Sequence, residues 1–217
     1  MQIFVDTANI DQIRQAARLG VISGVTTNPS LLSKEGTADY ESVVKEICSI
    51  VKGPVSVEVL SEEADAMIAE ARVKAAWASN VNIKIPITAE GLRATSVLSK
   101  ENIKINMTLC FSPNQALLGA LAGATYVSIF VGRLDDAGHD GMQVVEDTIS
   151  ILENYPDLEA QVIAASIRNP MHVTYAAMAG VDIATIPYGV LMQMIQHPMT
   201  DVGIKRFLAD WKSLAGK

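Results

Sequence analysis

The chain alternates short apolar runs with longer amphipathic stretches along its length. The apolar runs are rich in β-branched residues and are bounded by glycine, proline or asparagine, a pattern typical of buried strands. The predicted strands are Ile3–Val5, Gly24–Thr27, Val55–Val59, Asn82–Ile87, Ile103–Thr108, Thr125–Val131, Gln161–Ala165 and Val181–Ile186. Because each run is followed by a segment with helical spacing, the pattern predicts repeated strand–helix units.

The predicted helices fill the intervals between these strands. The first is capped at Asn9, with Gln12 three residues on as in a capping box. The others are Tyr40–Val51, Glu62–Ser79, Ala89–Lys100, Pro113–Ala122, Met142–Tyr155, His172–Ala179 and Gly189–Gln196, with a polar loop predicted over Gly132–Gly141. Eight such units with right-handed crossovers predict a closed (β/α)8 TIM barrel. The alternative is a doubly wound open sheet, whose usual Gly-x-Gly-x-x-Gly turn is missing after the first strand.

No linker-like stretch interrupts the pattern, so we expect residues 1–217 to form a single barrel domain. A further helix is predicted from about Thr200 to Leu214, within a C-terminal arm at about 198–217. Its apolar residues Val202, Phe207 and Trp211 fall mainly on one face. This face either caps the barrel floor or docks on a neighbouring subunit.

Composition narrows the functional class. The 217 residues carry a net charge of −7, with 49% hydrophobic and only 19% charged residues. An acidic chain without a basic run is a poor binder of nucleic acid or of anionic membranes, and no apolar run reaches the length of a transmembrane helix. Cys48 and Cys110 suggest no disulfide framework, and the three scattered histidines suggest no metal site. We expect a cytoplasmic protein that needs no metal or other cofactor.

One charged residue breaks the apolar pattern of the fourth strand, where Lys84 lies between isoleucines. A buried charge is costly unless it is paired or neutralised. Desolvation lowers the pKa of a lysine, and a neutral amine attacks carbonyl groups. From this strand alone, Lys84 is either a Schiff-base nucleophile or half of a structural ion pair.

Nearly every predicted strand carries a polar residue at its carboxyl end, which is where TIM barrels hold their active sites. These residues are Asp6, Thr27, Asn28, Glu58, Lys84, Asn106, Thr108, Ser128, Ser166 and Arg168, with Arg133 after the sixth strand. Taken singly, a strand-end threonine or asparagine caps the next helix more often than it binds a ligand. Together, an amine and two carboxylates at one mouth support attack on a ketone followed by acid–base catalysis. The two arginines and Ser166 suit a phosphate group. The alternative is that the arginines are only solvated at the surface, but their position after the sixth and seventh strands favours phosphate binding.

Five motifs resemble the transaldolase family. They are Val5–Asn9, Gly24–Ser30, Ile83–Pro86, Asn106–Thr108 and Phe130–Arg133, and the resemblance extends over essentially the whole chain. More closely, the chain resembles the short bacterial and archaeal branch, which also contains fructose-6-phosphate aldolase. The resemblance implies a class I (β/α)8 enzyme that moves a dihydroxyacetone unit from sedoheptulose 7-phosphate to glyceraldehyde 3-phosphate in the non-oxidative pentose phosphate pathway.

The resemblance also implies roles for individual residues. The Schiff-base lysine of the family falls on Lys84, its acid–base aspartate on Asp6, and its water-handling pair on Glu58 and Thr108. Substrate contacts are implied for Thr27, Asn28, Asn106, Ser128, Phe130, Arg133, Ser166 and Arg168. Members of the short branch form decamers of two pentamers, so the resemblance implies a homo-oligomer.

Two positions bear on the choice between transaldolase and fructose-6-phosphate aldolase. The aldolase carries Gln where this chain has Glu58, and Tyr where it has Phe130. A carboxylate exchanges protons with water and an amide does not, while phenylalanine lacks the phenol that could protonate an enamine. Both positions favour transaldolase. A sugar-phosphate isomerase or epimerase without a Schiff base, and a catalytically silent sugar-phosphate-binding barrel, remain open alternatives.

Overall fold

The computed structural model describes residues 1–36 and 39–215. Within these residues, eight parallel strands form a closed barrel in chain order. The strands are β1 (Gln2–Asp6), β2 (Gly24–Thr26), β3 (Val55–Glu58), β4 (Val81–Pro86), β5 (Ile105–Cys110), β6 (Tyr126–Phe130), β7 (Gln161–Ala165) and β8 (Ile183–Ile186). The barrel closes where β1 pairs with β8, with Phe4 opposite Thr185. The predicted TIM barrel is confirmed.

Helices surround this barrel. They are α1 (Ile10–Arg18), α2 (Pro29–Lys34), α3 (Tyr40–Ile50), α4 (Ala64–Ala75), α5 (Ala89–Leu98), α6 (Pro113–Leu121), α7 (Val131–Asp136), α8 (Gly141–Leu152), α9 (Pro170–Met178), α10 (Tyr188–Ile195) and α11 (Pro198–Ala215). The predicted cap of α1 is present, since Asn9 accepts a hydrogen bond from the backbone N–H of Gln12. The Gln12 side chain does not complete a capping box, because its oxygen accepts a hydrogen bond from Thr7 instead.

Side chains alternate between the two faces of each strand, and this separates two interiors. Outward-facing aliphatic residues pack against the helices in the main hydrophobic core. Inside the barrel, Phe4, Tyr126, Ile163 and Ile183 belong to a separate apolar cluster. The barrel also contains buried polar residues, namely Thr26, Ser56, Asn82, Asn106, Ser128 and Thr185.

Two helices were not expected from the sequence. Residues 29–34 form α2, where Asn28 caps the helix and Pro29 occupies its first turn. The predicted loop over Gly132–Gly141 is wrong for its first half, because α7 begins directly after β6. The polar residues of that segment lie on the exposed side of α7, while Val131 and Leu134 are buried. This spacing is helical, but α7 is too short for the period to be recognised in the sequence.

The C-terminal helix α11 is present and slightly longer than predicted. Residues 216–217 of the predicted arm lie outside the described residues. The apolar side chains of α11 are largely exposed, with Phe207 at 74% and Trp211 at 70%. The helix therefore does not bury its apolar face on its own barrel. Over residues 1–36 and 39–215, no helix combines the length and apolarity needed to cross a membrane.

Candidate active site

The amine of Lys84 lies inside the barrel, near the carboxyl end of β4. Its side chain is only 6% exposed, and its Nζ is 3.2 Å from Oε2 of Glu58 on the adjacent strand. The Nζ also donates a hydrogen bond to the carbonyl oxygen of Thr27, at 3.3 Å. The ring of Phe130 lies on another side of the amine, with its centroid 5.9 Å from Nζ. Lys84 thus combines burial with two long polar contacts.

The carboxyl group of Asp6 lies at the end of β1. It accepts a 2.7 Å hydrogen bond from the Thr26 hydroxyl, which is 2.6 Å from the hydroxyl of Thr185. Because Thr26 donates its one proton to Asp6, Thr185 must donate to Thr26. Burial raises the pKa of Asp6 above its ordinary value, although Lys84, the Thr26 hydrogen bond and Arg133 act in the opposite direction. A raised pKa suits a group that takes up and returns a proton.

A chain of hydrogen bonds runs across the barrel beneath these groups. Ser128 donates to Asn106, whose amide donates to Ser56, which in turn donates to Asn82. All four residues are buried. The chain fixes the amide of Asn106 in one orientation, with its nitrogen towards β3 and its oxygen towards β6. Asn106 lies opposite Lys84 in the strand register.

Thr27 and Thr108 are not among the residues that line the cavity. The Thr27 hydroxyl donates to the carbonyl of Ser56 and lies 3.3 Å from the hydroxyl of Tyr40, so only the backbone carbonyl reaches Lys84. The hydroxyl of Thr108 is buried and has no hydrogen-bond partner in the part of the chain that the structure describes.

Two arginines stand at the outer end of the site. The Arg133 guanidinium stacks over the Phe130 ring, with its carbon 4.9 Å from the ring centroid. Arg168 makes a 2.7 Å ion pair with Asp136 in which both side chains are more than half exposed. Such a pair is weak and can yield to a bound anion. Gly132 permits this arrangement, because a Cβ there would lie 2.2 Å from the Ser166 carbonyl and 2.6 Å from the Arg168 side chain.

A cavity of about 280 Å³ joins these groups at the carboxyl ends of the strands. Of the residues predicted for the site, those that line it are Asp6, Asn28, Lys84, Ser128, Phe130, Arg133, Ser166 and Arg168. Thr27, Glu58, Asn106 and Thr108 lie behind this lining. Asn28 also caps α2, where it accepts from the N–H of Leu31, so its capping and cavity-lining positions coincide.

A larger cavity of about 400 Å³ lies between α7, α8 and α9. Its lining includes the carboxylates of Asp135, Asp140 and Glu146. These groups would repel a phosphate, so the cavity at the barrel mouth is the better candidate for an anionic substrate. Among residues 1–36 and 39–215, no three His, Cys, Asp or Glu side chains are grouped to hold a metal ion.

Comparison with known proteins identifies the family. The family model described as transaldolase/fructose-6-phosphate aldolase matches residues 3–217. The chain belongs to this family. A probable transaldolase of Dehalococcoides mccartyi is 61% identical over 215 residues, covering 99% of both chains. Probable transaldolases of Thermoanaerobacter sp. and Caldicellulosiruptor saccharolyticus are 60% and 58% identical, over 97% and 100% of their lengths.

A likeness to a solved structure concerns the fold alone. Thiamine phosphate pyrophosphorylase from Pyrococcus furiosus aligns with a TM-score of 0.55 at 16% identity, covering 85% of each chain. The likeness agrees with the barrel architecture of this transaldolase-family chain. At that identity it says nothing about the residues of the site.

Sequence reasoning missed several members of the site. Thr26, Ser30, Lys34 and Thr185 line the cavity of this family member, and Tyr40 supports it from behind. Strand alternation offered a signal for Thr26, because β2 must turn either Thr26 or Thr27 inwards and Asp6 pairs in register with Thr26. Lys34 had no such signal, since it lies on the helix α2 that the sequence pattern did not reveal.

Proposed function

We propose that the protein is a transaldolase that works through a Schiff base on Lys84. The observation that carries this proposal is the buried Lys84 amine in the cavity at the barrel mouth, with the Glu58 carboxylate 3.2 Å away and Asp6 in the same cavity. An amine, an acid–base carboxyl and a second carboxylate are the groups that an imine mechanism requires. A structural ion pair would need only Lys84 and Glu58.

The first half of the reaction forms the imine. The Lys84 amine attacks the ketone carbon of the sugar phosphate and gives a carbinolamine, which loses water to form the imine. Glu58 delivers a proton to the departing hydroxyl through a water molecule. The Thr108 hydroxyl, which has no partner among the described residues, hydrogen-bonds the same water.

The second half moves the three-carbon unit. Asp6 takes the proton from the hydroxyl β to the former carbonyl, the adjacent carbon–carbon bond breaks, and the aldehyde leaves. The electron pair of the broken bond remains with the three-carbon unit, which stays on Lys84 as an enamine. The enamine attacks glyceraldehyde 3-phosphate, Asp6 returns the proton, and hydrolysis of the new imine releases fructose 6-phosphate. The raised pKa of Asp6 supports its service in both directions.

The remaining residues hold the substrate. Arg133, Arg168 and Ser166 bind the phosphate at the outer end of the cavity, where the guanidinium groups offer several donors. Asn28, Asn106 and Ser128 orient the hydroxyls of the dihydroxyacetone unit. Thr27 contributes its backbone carbonyl, which fixes the position of the Lys84 amine.

Phe130 favours transfer over aldol release. Its ring faces the Lys84 amine at 5.9 Å and offers no acidic proton to an enamine. An enamine that is not protonated waits for an acceptor aldehyde. We therefore favour transaldolase in the pentose phosphate pathway over fructose-6-phosphate aldolase.

Because sugar phosphates are intracellular metabolites and Cys48 and Cys110 are unpaired, we also place the reaction in the cytoplasm.

Borohydride trapping tests the Schiff base. Fructose 6-phosphate and borohydride should add to Lys84, and to no other lysine, either a reduced sugar phosphate or the reduced three-carbon unit that remains after cleavage, as read by peptide mass spectrometry. A chain that gains no such mass would contradict the mechanism. It would leave an isomerase without a Schiff base, or a silent binding barrel, and an isomerisation assay would separate those two.

We further propose that the chain is one barrel domain with α11 as an arm in a homo-oligomer, a decamer of two five-fold rings. The exposed apolar face of α11 supports this, since such a face requires cover. Light scattering should find a large assembly for the intact chain and a smaller one for a chain ending at His197. A monomeric intact chain, or a shortened chain that keeps its assembly, would contradict the proposal.

A further inference from the structure

We propose that Lys74 is a positioning residue that acts through the backbone of Glu58 to hold the Glu58 carboxylate against the Lys84 amine. The inference rests on the proposed function, because it assigns Lys74 a part in imine formation. Lys74 lies on α4, outside the barrel wall, and is only 6% exposed.

The need for such a residue arises from the short strand β2. The pairing of β2 with β3 ends at Thr26 and Ser56. Along β3, the N–H and C=O groups of alternate residues point to the same neighbour. Ser56 accepts from the N–H of Thr27, and Val59 donates to the carbonyl of Lys84 on the opposite side. The N–H and C=O of Glu58 therefore point towards β2, where the strand has ended.

Two side chains from the surrounding helices take the place of the missing strand. The Tyr40 hydroxyl accepts a hydrogen bond from the N–H of Glu58 at 3.1 Å, and the Lys74 Nζ donates to the Glu58 carbonyl at 2.7 Å. Tyr40 is also 3.3 Å from the hydroxyl of Thr27, whose carbonyl accepts from Lys84. The two residues that make polar contacts with the Lys84 amine, Glu58 and Thr27, are thus both held by side chains from the surrounding helices.

Lys74 is itself held firmly. Its Nζ is 2.6 Å from Oε1 of Glu70 and lies 4.8 Å from the centroid of the Tyr40 ring. Glu70 accepts from the backbone N–H groups of Leu60 and Ser61, which follow β3. Although burial acts to raise it, the pKa of Glu70 is lowered by the Lys74 hydrogen bond and these backbone donors. An ionised Glu70 thereby anchors Lys74 to the chain just beyond the catalytic strand.

Removal of the Lys74 amine would leave the Glu58 carbonyl without a partner and free the end of β3 to shift. A displacement of about 1 Å at a catalytic group can cost roughly 10²-fold in rate. We therefore expect the loss of Lys74 to slow the chemistry at Lys84, while substrate binding, which relies mainly on the phosphate-binding residues after β6 and β7, changes little.

The test compares Lys74→Met with Lys45→Met. Lys45 is exposed and pairs with Glu41 at the same four-residue spacing, so its variant controls for the loss of a helical ion pair. We expect Lys74→Met to lower kcat and the rate of borohydride trapping at Lys84 by roughly 10–100-fold, with KM within about twofold of the wild type. Lys45→Met should match the wild type.

A double-mutant cycle separates positioning from general damage. Fructose-6-phosphate aldolase carries Gln at the position of Glu58, so Glu58→Gln should still be trapped. In that background, Lys74→Met should change the trapping rate by less than about threefold. Tyr40→Phe, which keeps the ring beside Lys74 but removes the acceptor for Glu58, should show the same coupling and serves where Lys74→Met does not fold.

The outcomes are distinct. The inference is supported if the wild type is trapped, if Lys74→Met or Tyr40→Phe is trapped more slowly, and if this difference disappears in the Glu58→Gln background. Normal trapping in both variants, or equal losses with and without the Glu58 carboxylate, overturns it and leaves the proposed function standing. Absence of trapping in the wild type overturns the proposed function and this inference with it.

Discussion

Two buried lysines stand on opposite sides of the wall formed by β3, and both are paired with a glutamate. Lys84 and Lys74 are 5% and 6% exposed, so burial does not distinguish them. Their surroundings do. Lys74 has a carboxylate at 2.6 Å, a carbonyl at 2.7 Å and an aromatic ring over its charge. Lys84 has polar contacts at 3.2 and 3.3 Å and lines an open cavity.

This difference separates a lysine that supports structure from one that is available for chemistry. The Lys74 ammonium has close acceptors that offset its desolvation and occupy its donors. The longer contacts of Lys84 leave one side of the amine open to a substrate carbonyl. An amine that lines a cavity and has only long hydrogen-bond contacts is therefore the better candidate for a nucleophile in this barrel. Burial alone does not identify one.

The largest expected effect is that of removing the Lys84 amine. Lys84→Met should lower transfer activity by roughly 10⁴-fold or more, because the covalent intermediate cannot form. Borohydride should then add no sugar mass, even though the variant retains Lys74 and the other lysines. Mass transferred to Lys74 in this variant would erase the distinction between the two residues.

Asp6 should affect turnover but not imine formation. Asp6→Asn keeps the shape of the side chain and should still be trapped at Lys84, while transfer falls by about 10²–10⁴-fold. The carboxylate form takes the proton, so wild-type turnover should fall as the pH drops through the raised pKa of Asp6. The pH profile of the residual Asp6→Asn activity should lack this acidic limb, and a retained limb would assign it to another group.

The same raised pKa has a consequence for stability. The folded state favours the protonated carboxyl, so its contribution is present below the ordinary value of 3.8 and is lost as the pH rises through the folded-state pKa. Denaturant titrations should therefore show Asp6→Asn gaining stability relative to the wild type as the pH rises from about 3 to 7. An unchanging difference would contradict the raised pKa.

For stability we expect the opposite ranking from that for activity: replacing Lys74 should destabilise the fold more than replacing Lys84. Lys74→Met leaves the Glu58 carbonyl and the Glu70 carboxylate without their buried partner, and we expect a loss of about 3 kcal/mol in the free energy of unfolding. Lys84→Met should stay within about 1 kcal/mol of the wild type. The lowered pKa of Glu70 contributes stability that is fully present above the ordinary value of 4.5 and is lost as the pH falls through the folded-state pKa. The stability difference between Lys74→Met and the wild type should therefore shrink as the pH falls below 4.5.

The smallest effect concerns the ring beside Lys84. Phe130→Tyr adds a phenol next to the enamine, and together with Glu58→Gln it should raise aldol release over transfer by roughly threefold to tenfold. Product analysis with and without an acceptor aldehyde measures this ratio. An unchanged ratio would show that the choice between transfer and release is made elsewhere.

Much of the barrel could be predicted because its signals are local. The strand at Gln161–Ala165 has the predicted bounds, since β-branched and small apolar residues between polar segments leave little freedom. The helices α2 and α7 could not be predicted from period alone, because each has six residues, fewer than two turns. Arg133 was therefore expected on a loop and is found on a helix.

The residue types of the candidate site and their places at the strand ends are visible in the sequence, but the orientation of their side chains is not. Lys84 breaks an apolar run, and this is visible in the sequence. The outward turn of the Thr27 side chain depends on where β2 ends, and the use of Lys74 depends on which strand neighbour is missing. Both are properties of pairing between distant segments, which the spacing of residues along the chain does not contain.

The closure of β1 on β8 also governs when the candidate active site is completed during synthesis. Asp6 lies on the first strand, whereas Thr185, which completes its hydrogen-bonded surroundings, lies on the last. At about 5–20 residues per second, a ribosome needs roughly 10–40 s to synthesise the intervening chain. During that time the first strand is made but its partner is not, and its edge is open to other chains. Asp6, the proposed acid–base residue, is therefore among the first residues to be synthesised and among the last to reach its final surroundings.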